Sequence, residues 1–110
     1  MNPIVALHGF TGSGADFDPL KACLPPGISL LAPDLPGHGS KGTLRDLAAY
    51  SLPAHLSAIS EAATAEQVTL IGYSMGGRLA LHWAIAHPER IRRLILIGAS
   101  PGLADRKSVV

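Results

Sequence analysis

The pentapeptide Gly72-Tyr73-Ser74-Met75-Gly76 fits the pattern G-x-S-x-G. It follows an apolar run over residues 68–71 and precedes a stretch with helical periodicity. A serine on such a tight strand-to-helix turn is held strained with its hydroxyl exposed, which suits covalent or proton-transfer catalysis. Glycines two residues to either side let the backbone and a neighbouring strand approach without a Cβ clash. The bare pattern arises by chance in about 3% of chains this long, judged from average residue usage. The strand–motif–helix context therefore favours Ser74 as the catalytic residue over a plain structural turn.

His8-Gly9-Phe10-Thr11-Gly12, at the end of an apolar run over Ile4–Leu7, supplies a second element of the same chemistry. Negative charge developing on a substrate oxygen needs two preorganised backbone N–H donors. One comes from the residue after the serine and the other from a His-Gly-type loop. Met75 and Phe10 are the matching oxyanion-hole donors. Alone, Gly12 and Gly14 would signal a turn and no more. Thr11-Gly12-Ser13-Gly14 is not a phosphate loop, because no Gly-Lys-Ser/Thr follows.

A serine hydroxyl without a base is a poor nucleophile. Triads on such turns run serine, then acid, then histidine along the chain. After Ser74 the acids are Glu89 and Asp105 and the histidines His82 and His87, so no histidine follows an acid. His82 and His87 lie on the helix that leaves the serine and read as packing or surface residues, as do His38 and His55. The chain is expected to lack the triad acid and histidine and to be inactive by itself.

The elements that must position these residues alternate in type. Ile4–Leu7, 28–32, 68–71, and Ile91 with 94–97 read as strands. Residues 16–24, with Phe17, Leu20 and Leu24 at helical spacing, read as a helix stopped by Pro25-Pro26-Gly27. Thr43, before Leu44 and Asp46, resembles a capping box. Leu52, Leu56, Ile59 and Ala63 then share a helical face, where Pro53 should kink or restart the helix. Residues 74–87 form a third helix with Leu79, Ala80 and Trp83 inward, ended by Pro88. Continuous apolar strands separated by helices predict a parallel sheet covered on both faces.

Composition sets the outer bounds. A chain of 110 residues, 47% hydrophobic and 15% charged, suits one domain with a covered core. Its net charge of +1 gives no footprint for nucleic acid or a membrane surface. Cys23, the single cysteine, allows no internal disulfide and no cysteine metal cluster, and reads as small buried filler on a helix. No cofactor and no metal are expected. Residues 1–10 have no signal-peptide pattern and no window suits a transmembrane helix, so a cytoplasmic location is expected.

Together with Pro33-Asp34-Leu35-Pro36-Gly37-His38-Gly39, the two motifs resemble the α/β-hydrolase superfamily over essentially the whole chain. The resemblance implies a partial α/β-hydrolase domain running from that fold's third strand to its sixth. About four parallel strands with helices on both faces follow, in the spatial order second, first, third, fourth. Phe10 and Ser74 would then face one cavity at the crevice between the first and third strands. The 34–39 loop reads as wall and turn.

Three strings narrow the resemblance: Gly72-Tyr73-Ser74-Met75-Gly76-Gly77-Arg78-Leu79-Ala80-Leu81, Leu7-His8-Gly9-Phe10-Thr11-Gly12-Ser13, and Gly98-Ala99-Ser100-Pro101-Gly102-Leu103. They are similar to the 2-succinyl-6-hydroxy-2,4-cyclohexadiene-1-carboxylate synthases, lyases of menaquinone biosynthesis. That similarity implies elimination of pyruvate from a small-molecule cyclohexene substrate carrying three carboxylates. Ser74 would take the proton beside the succinyl carbonyl, and the Phe10 and Met75 amides would hold the enolate oxygen. Arg78, about one helical turn after Ser74, and Tyr73 would bind substrate. Arg90, Arg92 and Arg93 read as surface charges. Beyond Leu103 the sequence departs from the family's polar, arginine-bearing helix, so Arg106 carries no substrate role. An ester or thioester hydrolase of the same fold remains an alternative, and so does a non-catalytic fragment, whether a truncated gene product or a module completed by a C-terminal half on another chain.

Overall fold

The computed structural model describes residues 3–38 and 51–99. The expected Thr43 cap, Gly39, and the segment containing Ser100, Leu103, Asp105 and Arg106 lie outside the described residues. The elements run β1 (Ile4–Leu7), α1 (Asp18–Cys23), β2 (Leu30–Leu31), α2 (Leu52–Ala62), β3 (Val68–Tyr73), α3 (Met75–Ala86) and β4 (Ile91–Ile97). The four strands are all parallel, as their apolar pattern predicts, and ordered β2-β1-β3-β4, as the family resemblance implies.

Side-chain alternation divides the core into two layers. Val5, Leu7, Val68 and Leu70 face Ile59, Leu79, Ala80 and Trp83, so α2 and α3 cover one side of the sheet. Ala6, Leu30 and Ile71 face the other side, where Phe17 and Leu24 pack beside α1. No buried side-chain nitrogen or oxygen among the described residues lacks a hydrogen bond. Among those residues no helix is long and apolar enough to cross a membrane.

Several boundaries differ from the expectation. The second strand forms a ladder only at Leu30 and Leu31, opposite Ile4 and Val5. Past Ala32 the chain has Pro33, which offers no N–H, and then turns to bond the first loop. The third strand reaches Tyr73, because Gly72 and Tyr73 pair with Leu96 and Ile97. The fourth is continuous from Ile91, with a bulge that leaves Arg92 without a partner residue between Ile91 and Arg93.

α2 begins at Leu52 with Pro53 in its first turn, and the Ser51 hydroxyl caps it by accepting from the Ala54 N–H at 3.2 Å. Of the predicted face, Ile59 and Ala63 are buried and Leu56 packs against the core, joined by His55 and Ala58; Leu52 alone of the four is exposed. Cys23 is exposed, contrary to its reading as core filler, because α1 is a short helix with no buried residue. Arg90 is a second correction. Its guanidinium donates to the carbonyls of Ala63, Ala65 and Glu66 at 2.6, 2.9 and 3.0 Å and lies 5.4 Å from the Trp83 ring centroid. A fork of five donors suits the bare carbonyls at a helix end, so the side chain is a clamp and not a free surface charge.

Candidate active site

Ser74 separates the last residue of β3 from the first of α3. Its backbone lies at φ 52° and ψ −113°, a region that costs a non-glycine residue about 1–3 kcal/mol. The surroundings hold it there. Its N–H donates to the Ile97 carbonyl at 2.9 Å, and its carbonyl accepts from Gly77 and Arg78 at 2.9 and 3.2 Å. Two glycines make the turn sterically feasible. A Cβ on Gly72 would strike the Gly76 carbonyl, and one on Gly76 would strike the carbonyls of Leu7 and His8. The start of α3 is thus pressed onto the end of β1. Met75 opens α3, so its N–H belongs to the amides that a helix leaves without an internal partner.

A cleft of about 410 Å³ opens beside the turn, lined by Ser74, Met75, Arg78 and His82 of the elbow and α3, with Leu52, Gly98 and Ala99 opposite. Among the described residues that line it, Arg78 brings the positive charge and there is no aspartate or glutamate. His82 is a lining residue that sequence reasoning assigned to packing or surface. The spacing 74, 78, 82 on one helix could have shown it. It stands two turns from Ser74, about 12 Å along the axis, too far for a direct hydrogen bond.

Phe10 and Tyr73 are placed elsewhere. Phe10 is not among the residues lining that cleft; it is 73% exposed at a turn closed by the Gly12 N–H on the Gly9 carbonyl at 3.0 Å. The turn holds Thr11 at φ 66°, a position that a β-branched residue rarely takes. Tyr73 is one residue from Ser74, and strand alternation sends its side chain to the α1 side of the sheet. There it lines a second cavity of about 340 Å³ with His8, Asp16, Phe17 and Ile97. Ser74, Met75 and Arg78 are brought together; Phe10 and Tyr73 do not join them around the cleft.

The other histidines have structural partners. His55 Nδ1 lies 2.9 Å from the Ser51 carbonyl, and His38 Nδ1 2.9 Å from the Pro36 carbonyl. His87 stacks on Trp83, whose Nε1–H donates to the Ser60 hydroxyl at 2.9 Å. His8 is 1% exposed, and burial holds its pKa below the ordinary histidine value. The 34–38 loop is wall, as expected: the Asp34 carboxylate accepts from the Gly14 N–H at 2.8 Å. No group of three or more metal-type ligands occurs among the described residues.

Parallel strands in this order, joined to a strained serine between strand and helix, define a class that comparison with known proteins identifies. The alpha/beta hydrolase fold family matches residues 2–109, and the chain belongs to it.

A Bacillus subtilis (strain 168) protein provisionally named 2-succinyl-6-hydroxy-2,4-cyclohexadiene-1-carboxylate synthase is 40% identical over 103 residues, covering 91% of this chain. The match takes in 37% of that relative, so the chain spans well under half its length. The structure of MenH from S. aureus superposes with a TM-score of 0.79 at 28% identity, over 96% of this chain and 41% of the other. The thioesterase domain from the curacin biosynthetic pathway gives a TM-score of 0.77 at 30% identity, over 89% of this chain and 38% of that domain.

Proposed function

We propose that the chain carries the serine half of a lyase site that eliminates pyruvate from a succinyl-enolpyruvyl-hydroxycyclohexene carboxylate. The observation that carries this reading is the meeting of strained Ser74, Met75 and Arg78 on one cleft. The similarity to the named synthase supplies the reaction. Ser74 Oγ takes the proton beside the succinyl carbonyl once a histidine–acid pair accepts its own. The electrons move to the carbonyl oxygen as an enolate, held by the Met75 and Phe10 amides. Collapse of the enolate forms the ring double bond and expels the enolpyruvyl group, which becomes pyruvate. Arg78 pairs with a substrate carboxylate by charge-assisted hydrogen bonds. Tyr73, from the neighbouring cavity, meets the part of the substrate that reaches past the elbow. No residue here is asked to hold a metal or cofactor.

All five histidines of the sequence are described, and each other than His82 is engaged away from Ser74, so on this reading the histidine base comes from a complementing C-terminal half. The test combines the chain with the C-terminal part of the Bacillus relative and measures pyruvate release from the cyclohexene substrate. Release that vanishes in Ser74→Ala supports the reading. The likeness to a thioesterase domain favours a second reading, hydrolysis of an ester or thioester through an acyl-serine. Ester turnover with a trapped acyl group on Ser74 and no pyruvate would replace the first reading by this one.

A further inference from the structure

We propose that His8 is the positioning residue of the oxyanion loop, a neutral ring locked in one tautomer that aims the Phe10 N–H. The proposal rests on the reading of Phe10 as an oxyanion donor.

His8 follows the last residue of β1 and is 1% exposed. The Leu35 N–H donates to its Nε2 at 3.0 Å, so Nε2 carries a lone pair and no proton. In a neutral imidazole the proton is then on Nδ1. Nδ1 lies 2.8 Å from the Gly9 carbonyl oxygen, to which it donates. That carbonyl and the Phe10 N–H belong to one peptide unit, and none of the described peptides is cis. In a trans peptide the C=O and N–H point in opposite directions, so fixing one fixes the other.

The same carbonyl also accepts from the Gly12 N–H at 3.0 Å. Two donors on one carbonyl polarise the peptide and strengthen its N–H as a donor. His38 completes the cluster, its ring 4.9 Å from that of His8 and 5.9 Å from that of Phe10. One ring thus ties the loop that bears the donor to the 34–38 loop.

Protonating His8 would put an Nε2–H against the Leu35 N–H, donor against donor. Burial opposes that charge most strongly, and His38 opposes it further; the Gly9 carbonyl, Asp34 and Asp16 act the other way. The neutral ring is therefore the working form, and protonation releases the peptide.

Two short side chains separate the ring's halves. Asn at position 8 can place its NH₂ near Nδ1, keeping the donor to Gly9 and losing the acceptor for Leu35. Gln can place its carbonyl near Nε2, keeping the acceptor and losing the donor. In the reconstituted enzyme His8→Gln should lower kcat about tenfold with little change in KM, part of the ~10²–10³ that a missing oxyanion donor costs. His8→Asn should recover most of that rate. Equal impairment in both would overturn the proposal, since loss of packing alone would not distinguish them.

A readout independent of turnover uses ¹⁵N-labelled protein followed through the ordinary histidine range, about pH 8 to about pH 5. The expected result is a bare Nε2 at high pH, with the Phe10 and Leu35 amides shifting together as His8 titrates. A protonated Nε2 in the neutral ring, or a Phe10 amide that ignores the titration, would overturn it. Absence of pyruvate release alongside the expected spectra would count against the lyase reading and leave the role of His8 standing.

Discussion

Ser74 and Arg78 are joined by a backbone hydrogen bond across one turn of α3, which puts both side chains on the same cleft. If the substrate is a polycarboxylate, the guanidinium is a partner in a desolvated charge pair, and truncating such a partner costs about 2–5 kcal/mol. In the reconstituted enzyme, Arg78→Ala should therefore lower kcat/KM for the cyclohexene substrate at least ~30-fold. Hydrolysis of a small neutral ester should change only a few-fold, while Ser74→Ala abolishes both. Equal loss of both reactions in Arg78→Ala would remove its substrate role.

His8 sets a pH dependence at the same scale. Its folded pKa lies below the ordinary histidine value of 6.5, so the unfolded chain binds its proton first. Stability is fully present above that value and falls as pH drops from about 6.5 toward the folded pKa. Thermal midpoints should decline over that window, and the decline should be smaller in His8→Gln.

At the scale of elements, α3 is held at both ends. Its start is jammed on β1 through Gly76, whose Cβ would strike two β1-end carbonyls. Gly76→Ala should destabilise the protein by several kcal/mol or prevent folding, because overpacking against backbone has no rotamer escape. Circular dichroism melts would show this, and a native-like melt would contradict the steric account. Beyond its other end, Arg90 bonds the carbonyls that follow α2 and lies over Trp83. Arg90→Met should cost about 1–3 kcal/mol by stranding those carbonyls, discounted where water reaches them.

The strand-to-helix turn at Ser74 was legible, because apolar runs, glycines and prolines report local geometry directly; the order of the strands followed only from the resemblance to the α/β-hydrolase fold. The fates of Arg90, Cys23 and Tyr73 were not legible. Arg90 depends on carbonyls 24 to 27 residues away, Cys23 on how little of α1 is covered, and Tyr73 on which face of β3 it takes. The α2 face was legible apart from Leu52; that His55 joins it was not, because its bond to its own helix's cap residue is a polar contact that hydrophobic spacing does not reveal.

The whole molecule buries its two core layers unequally. On the α1 side the buried cluster is Ala6, Leu30 and Ile71, and nothing described covers the outer half of β4. Ile95 and Ile97 follow Ile71 and Tyr73 across the ladder, and strand alternation puts them on that open side. Both are exposed, Ile97 by 48%, and Leu96 is exposed on the opposite face. Among the described residues β4 pairs with β3 alone, and none of them takes the N–H and C=O groups of its other edge into the sheet. Arg92 and Arg93 put charge at the start of that edge, where it discourages pairing, but residues 94–97 carry none. An uncharged apolar edge beside an open apolar face templates association. The 110 residues by themselves should accordingly self-associate in a concentration-dependent way, seen by sedimentation velocity. Ile97→Lys, which places a charge on both the edge and the open face, should shift the population toward monomer without lowering helix content. Adding the C-terminal part of the Bacillus relative should do the same by competition, because it would cover the surface that a second copy otherwise takes. A monodisperse monomer with a sharp cooperative melt at high concentration would show that the edge is blocked already.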